Sequence, residues 1–492
     1  MIYQSVASSL LFSQTSQTTS TYFGLRAIDQ DTGGGIPLVR FKTTSNIALW
    51  SDSQGYAAFN EPGLMNTEVY FEADSPGYEA VADGFGFRGV RVTPQAGKIA
   101  EVRLKRNNLA ERIGRVTGQG IFRDSELLGI AVPRNSNSLQ AGVTGSDSVQ
   151  MVPYRGRLFW LWGDTNFANY PLGNFHVTAA TSPLPRSDSF PNVNDIALEY
   201  FTDSSTGRAK KMLPTTTPGA VWLFGMVNLK EGEAETLVGH YSRHLRLGEM
   251  VEHGIATFDD ATQQFQIQAT FELSNKWQIP SGQAFRHQDS DGDFVYFADP
   301  FPVTRVPARL EAFCDPQQYQ AFAWDSSTQA YHWQSTEPPI RQADEKIRVA
   351  SRKMPSTSAR FQVIDRDTSR PVMIHRASIN WNDYRHCWIM IGCESNPSGV
   401  PSHLGEIWYA EAPELTGPWT SATKIATHPG YSFYNPRHHT VWDQADGRYI
   451  YFEGTYTQTF SGNQAATPRY EYNQLLYRLD LATIAAGKTD DR

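Results

Sequence analysis

Two aspartates, Asp147 and Asp164, bracket a stretch that reads as a hairpin: Gly145-Ser146-Asp147-Ser148-Val149-Gln150-Met151-Val152-Pro153-Tyr154, a turn at Arg155-Gly156, then Arg157-Leu158-Phe159-Trp160-Leu161-Trp162-Gly163-Asp164-Thr165-Asn166. Apolar residues on both arms predict strands, and a two-residue turn sets Tyr154 opposite Arg157. Counting back along both arms sets Asp147 opposite Asp164. Directly opposed residues of an antiparallel pair stand roughly 4.5–5.5 Å apart, and like charges there are destabilising. Glycoside hydrolysis would give such a pair a purpose, because one carboxyl must hold a proton while another stays ionised.

The elements that would position the pair recur along the chain. Four further hairpins of the same kind follow: Val221–Met226 with Thr236–Arg243; Phe285–His287 with Asp293–Asp299; His375–Trp381 with Cys387–Glu394; and Asn435–Trp442 with Arg448–Gly454. Each leads into another strand-like segment. The pattern predicts an all-β, five-bladed propeller over 143–492, with six blades as the rival count. In an up-and-down blade the start of the first strand, the end of the second and the start of the third lie on one rim. The polar residues expected there are Asp147, Asp164, Asn174 and His176; Arg243 and Glu252; Arg286, His287, Asp299 and Arg305; Arg376, Glu394 and Glu406; and His438, His439 and Glu453. With the fifth turn centred between Ala445 and Asp446, His438 faces Glu453. Of these, Asp147, Asp164, Glu406, Glu453 and Glu252 are the catalytic candidates. Asn174, His176, Arg243, Arg286, His287, Arg376, His438 and His439 are the substrate-binding candidates. Strand ends also carry solvated charge as a rule, which is the competing explanation for each residue taken singly.

Composition narrows the classes. The 492 residues exceed one ordinary core, and a formal net charge of −8 argues against a nucleic-acid partner. Aromatics make up 12% of the chain, which suits either aromatic-rich sheets or sugar stacking. Of the three cysteines, Cys387 and Cys393 lie about 20 Å apart in one strand, so no disulfide framework is expected. No run is long and apolar enough for a membrane span. No Gly-x-Ser-x-Gly elbow, phosphate loop or paired-Cys metal site is present. No cofactor is implied. A divalent cation on the propeller axis, near His438, His439 and His287, is open. Asp289-Ser290-Asp291-Gly292-Asp293 imitates a calcium loop, but Pro300 stands at its twelfth position, so a plain hairpin tip is expected.

Ahead of the propeller, residues 1–21 are Ser/Thr/Gln-rich, and a short apolar run over 1–12 without a basic start is a weak export signal. An exported protein is the expectation. Residues 22–106 carry short strands split by turns and predict a β-sandwich. Residues 107–142 read as a connector, with a short helix starting at Asn107–Ile113.

Asp29 to Thr32 with Gly33, Ser51-Asp52-x-x-Gly55 and Ser75-Pro76-Gly77-Tyr78 together resemble the transthyretin-like, carboxypeptidase-regulatory-like domains. That resemblance implies an accessory module. Thr144-Gly145-Ser146-Asp147, Gly163-Asp164-Thr165, Asn174 and Thr178–Ser182 resemble the first blade of the endo-D-arabinanase-like propellers, glycoside hydrolase family 183 and relatives. The resemblance implies that Asp147 and Asp164 are the acid and base. Leu415-Thr416-Gly417-Pro418-Trp419 is similar to a blade-edge segment of propeller glycosidases. The sandwich, Asn435–His439 and Phe452–Tyr456 have no counterpart in that family's pattern.

The reading is a glycosidase acting on a polysaccharide or oligosaccharide. Two alternatives stay open: a polysaccharide lyase using His287, His438, Tyr434 or Tyr456 with arginines for a uronate, and a glycan-binding propeller without turnover. The oligomeric state is not readable from the chain.

Overall fold

The computed structural model describes residues 20–133, 140–185, 196–395 and 403–485, so the expected leader lies outside the described residues. The fold is all-β: an N-terminal β-sandwich followed by a five-bladed propeller. Strands from Phe23–Asp29 to Ile99–Arg106 pair into one eight-stranded sheet. It folds over a core that includes Leu25, Phe41, Phe71 and Leu104.

Five further sheets are the blades. Their first strands are Gln150–Tyr154, Ala220–Glu231, Gln283–Asp289, Ile374–Asn382 and Ser432–His438. The apolar run Leu158-Phe159-Trp160-Leu161-Trp162 is continuous because its strand is buried on both faces. Phe159 and Leu161 pack with Leu223 and Tyr241 of the second blade. Leu158 and Trp160 pack with Tyr451 and Leu476 of the fifth. Blades stacked face to face bury both sides of each central strand, so strict alternation is lost there.

The ring closes through a strand from the start of the chain. Glu111–Arg115 pairs antiparallel with Asn473–Asp480, setting Arg115 beside Leu475 and Glu111 beside Arg478. The expected helix start at Asn107–Ile113 is therefore replaced by a strand. Its partner lies more than 350 residues away in sequence, and tertiary pairing overrides local capping signals. The same strand ties the sandwich to the propeller. Arg112, buried, donates to Pro37 O (3.1 Å), Pro76 O (3.0 Å), Ser75 Oγ (2.5 Å) and Tyr477 Oη (3.4 Å).

The first hairpin has the expected register: Tyr154 faces Arg157, Gln150 faces Leu161 and Ser146 faces Thr165. Positive φ at both Arg155 (45°) and Gly156 (73°) makes the turn of the type that matches strand twist. The fifth hairpin differs. Asn435 takes φ 52°, the register shifts between Tyr434 and Arg437, and Arg437, not His438, faces Glu453. Asp289–Asp293 is a hairpin tip, with Asp289 Oδ1 accepting from the backbone of Asp291 and Gly292. No helix among the described residues is long and apolar enough to cross a membrane.

Candidate active site

A cleft of about 1140 Å³ opens where all five first strands begin. Gln150, Ala220, Gln283, Arg376 and Tyr434 each line it from a different blade. Asp147 and Asp164 line it too, and no other carboxylate does among the described residues. Asp147 N donates to Asp164 O (3.2 Å) and Gly163 N to Asp147 O (2.8 Å), so the two residues face each other across the pair.

Their surroundings differ. Asp147 Oδ2 accepts from Tyr434 Oη and Tyr472 Oη, both at 2.8 Å. Burial pushes the Asp147 carboxyl above its ordinary range, while the two phenols and Ser148 pull it back. Among the described residues the Asp164 carboxyl accepts only from Trp222 Nε1, at 2.7 Å. Burial, reinforced by the charge on Asp147, pushes it up to about 7. The two carboxyls thus differ in their surroundings, Asp147 held by two phenols and Asp164 pushed to about 7 with a single indole donor, the kind of asymmetry an acid–base pair uses.

The Gly-Asp-Thr segment has a physical reason at each place. A Cβ on Gly163 would run into Asp147 Oδ1, so only glycine leaves room for that carboxylate. Thr165, buried, bonds Thr178 Oγ1 (2.8 Å) and Ser146 Oγ (3.1 Å), pinning both arms under the aspartates.

Asn174 and His176 also line the cleft. Asn174 Oδ1 and His176 Nδ1 are buried without a hydrogen-bond partner among the described residues. Burial, aided by Lys211, pulls the His176 imidazole down to about 4, so it is neutral near pH 7. Arg376 lines the cleft in an ion pair with Asp299.

The other expected residues are not among those lining the cleft. Arg243 lies between cleft-lining Ser242 and His244, on the other face of its strand, where it pairs with Glu252 at 2.9 Å. The third blade's first strand begins at Gln283, so Arg286 and His287 sit roughly 10–13 Å along it. There Arg286 pairs with Asp293, and the His287 ring meets Trp388. His438 is the last residue of its strand, not the first. It bonds Asp443 (2.9 Å) and Asn380 (3.1 Å). His439 bonds Glu453 at 2.7 Å inside the core, with Glu453 pushed up to about 8 by burial. Glu406 is held by Lys424 (2.8 Å) and Thr427 (2.6 Å). Among the described residues no three His, Cys, Asp or Glu side chains come together as a metal site, and His287, His438 and His439 do not converge.

Trp222, Tyr472, Arg437 and His244 line the cleft without having been expected there. Tyr434 was expected only as a lyase base, and its proton is held far too tightly for that, its pKa driven well above 10 by burial and Asp147. The recoverable signal was the pair itself: two opposed carboxylates require donors, and the first-strand start of the last blade is where a neighbouring donor must come from. Around the mouth stand Phe175, Leu245, Leu247 and Phe460, all exposed.

No protein family model and no curated protein matches the chain. Solved structures do. A putative hydrolase from Bacteroides ovatus superposes with a TM-score of 0.43 at 12% identity, over 69% of this chain and 86% of that one. An exo-beta-1,3-galactanase from Phanerochaete chrysosporium gives 0.37 at 10%, over 76% and 65%. A GH43_1 enzyme from Xanthomonas citri gives 0.33 at 10%, over 69% and 87%. The superpositions are partial, and the propeller assignment rests on the strand pairing of this chain.

Proposed function

We propose that the protein is a glycoside hydrolase acting on a polysaccharide or oligosaccharide bound across the cleft. The observation that carries the reading is the opposed Asp147–Asp164 pair in one cleft, with two phenols on Asp147 and Asp164 pushed to about 7. Asp164, protonated near neutrality, donates to the departing glycosidic oxygen. Asp147, whose carboxylate accepts hydrogen bonds from Tyr434 and Tyr472, offsets the positive charge of the oxocarbenium-like transition state and takes the proton of the water whose oxygen bonds to the anomeric carbon. Phe175 and Phe460 offer flat faces at the mouth for sugar rings. The reading keeps Asp147, Gly163, Asp164, Thr165 and Asn174 from the endo-D-arabinanase-like resemblance, and treats the sandwich as an accessory module of an exported enzyme. The lyase alternative is disfavoured because His287 and His438 do not line the cleft and Tyr456 bonds Thr467 in the core.

The test is reducing-end release from a panel of polysaccharides. Wild-type protein should release new ends from at least one, and Asp164→Asn should lower that rate by about 10²–10⁴-fold. Undiminished hydrolysis by Asp164→Asn would refute the assignment.

A further inference from the structure

The cleft wall carries a cation that no group among the described residues neutralises. Arg437 sits on the fifth blade's first strand, three residues after Tyr434, and is only 7% exposed. The residue lines the cleft, yet no side chain or carbonyl among the described residues hydrogen-bonds or ion-pairs with its guanidinium. Glu453 faces it in register but is bonded to His439. Arg376, its counterpart on the fourth blade, has Asp299. Burying an unpaired charge is costly, and buried charges in folded proteins are as a rule paired, so an anion from outside would relieve the cost here. A planar guanidinium with several donors free suits a bidentate oxyanion.

We infer that Arg437 is the docking point for an anionic group on the glycan, a uronate carboxylate or a sulfate ester, so that the cleft's substrates are acidic glycans. The inference rests on the glycosidase reading above for the word substrate, but the docking itself does not. Burial holds the guanidinium down to about 10, still charged at neutral pH. Apart from Arg437, the cations lining the cleft are Lys211, Arg246 and Arg376. Arg246 is taken by Glu249 and Arg376 by Asp299. The catalytic aspartates are engaged by Tyr434, Tyr472 and Trp222, and Lys211 is exposed, which leaves Arg437 as the buried cation of the cleft without a partner among the described residues.

The test is calorimetric binding of defined oligosaccharides to the full chain carrying Asp164→Asn, so that nothing is cut. The probes are a trigalacturonate, a sulfated heparin tetrasaccharide and a neutral xylotriose. One charged probe should bind at least about tenfold more tightly than xylotriose, and raising the salt should erase most of that difference. Which of the two binds distinguishes carboxylate from sulfate. Adding Arg437→Gln should remove the preference, and Arg437→Lys should restore part of it. Should Arg437→Gln fail to fold, the salt dependence and the Lys variant still decide. Equal or better binding of xylotriose, or an acidic preference that survives Arg437→Gln, would overturn the inference. Arg437-dependent binding with no hydrolysis by wild-type protein would instead defeat the glycosidase reading and leave this one standing.

Discussion

At the scale of single residues, the account turns on how two chemically identical side chains acquire different roles. Asp164 titrates near 7 because it is buried beside a charge and has one donor, while Asp147 has two phenols. Hydrolysis should therefore fall as pH rises through about 7, when the acid loses its proton. Asp147→Asn removes the neighbouring charge and should lower the Asp164 pKa, visible as a lower pH midpoint for loss of its protonated carboxyl band in difference infrared titration. No change in that band would mean the pair is uncoupled. The raised Asp164 pKa also has a sign for stability. The folded state holds this proton more tightly than the unfolded chain, so stability is lost as pH climbs from about 4 to about 7. Asp164→Asn should flatten that part of the stability–pH curve, measured by urea unfolding. Gly163→Ala should displace the Asp147 carboxylate, lowering kcat about a hundredfold while costing only about 1–3 kcal/mol of stability. A full-activity Gly163→Ala enzyme would show that Asp147 need not sit where it does.

At the scale of elements, what could be read from sequence depended on whether a turn counted residues correctly. Arg155-Gly156 is a tight two-residue turn, so the first hairpin's pairing and the facing of Asp147 and Asp164 were legible. The fifth hairpin hid its register, because the irregularity around Asn435 and the short 3-10 turn at Thr440–Trp442 each break the count. The rule that first-strand starts share a rim was sound, but Arg286, His287 and His438 were placed on it by misjudging where their strands begin and end. The closing strand Glu111–Arg115 was illegible for a different reason, since nothing local announces a partner near the chain's end. That strand should matter to stability. Arg112→Met would leave carbonyls of Pro37 and Pro76 and the Ser75 hydroxyl without their buried donor, an expected cost of about 3 kcal/mol or more by urea unfolding. A loss under about 1 kcal/mol would mean the seam between sandwich and propeller does not depend on it.

At the scale of the whole molecule, all five blades supply wall residues to a shared cleft, and the sandwich contributes by locking the strand that closes the ring. The chain is acidic overall, yet its cleft wall holds an arginine unpaired among the described residues, so overall charge is a poor guide to what the cleft binds. The catalytic claim is narrower than the fold and does not follow from it, because propellers host binding as readily as turnover. It is tested most directly by comparing reducing-end release by wild-type and Asp164→Asn protein, both verified as folded, on a panel that includes acidic and neutral polysaccharides. The account predicts release by wild-type protein on an acidic member and a loss of about 10²–10⁴-fold with Asp164→Asn. Hydrolysis that proceeds undiminished without the Asp164 carboxyl would contradict it.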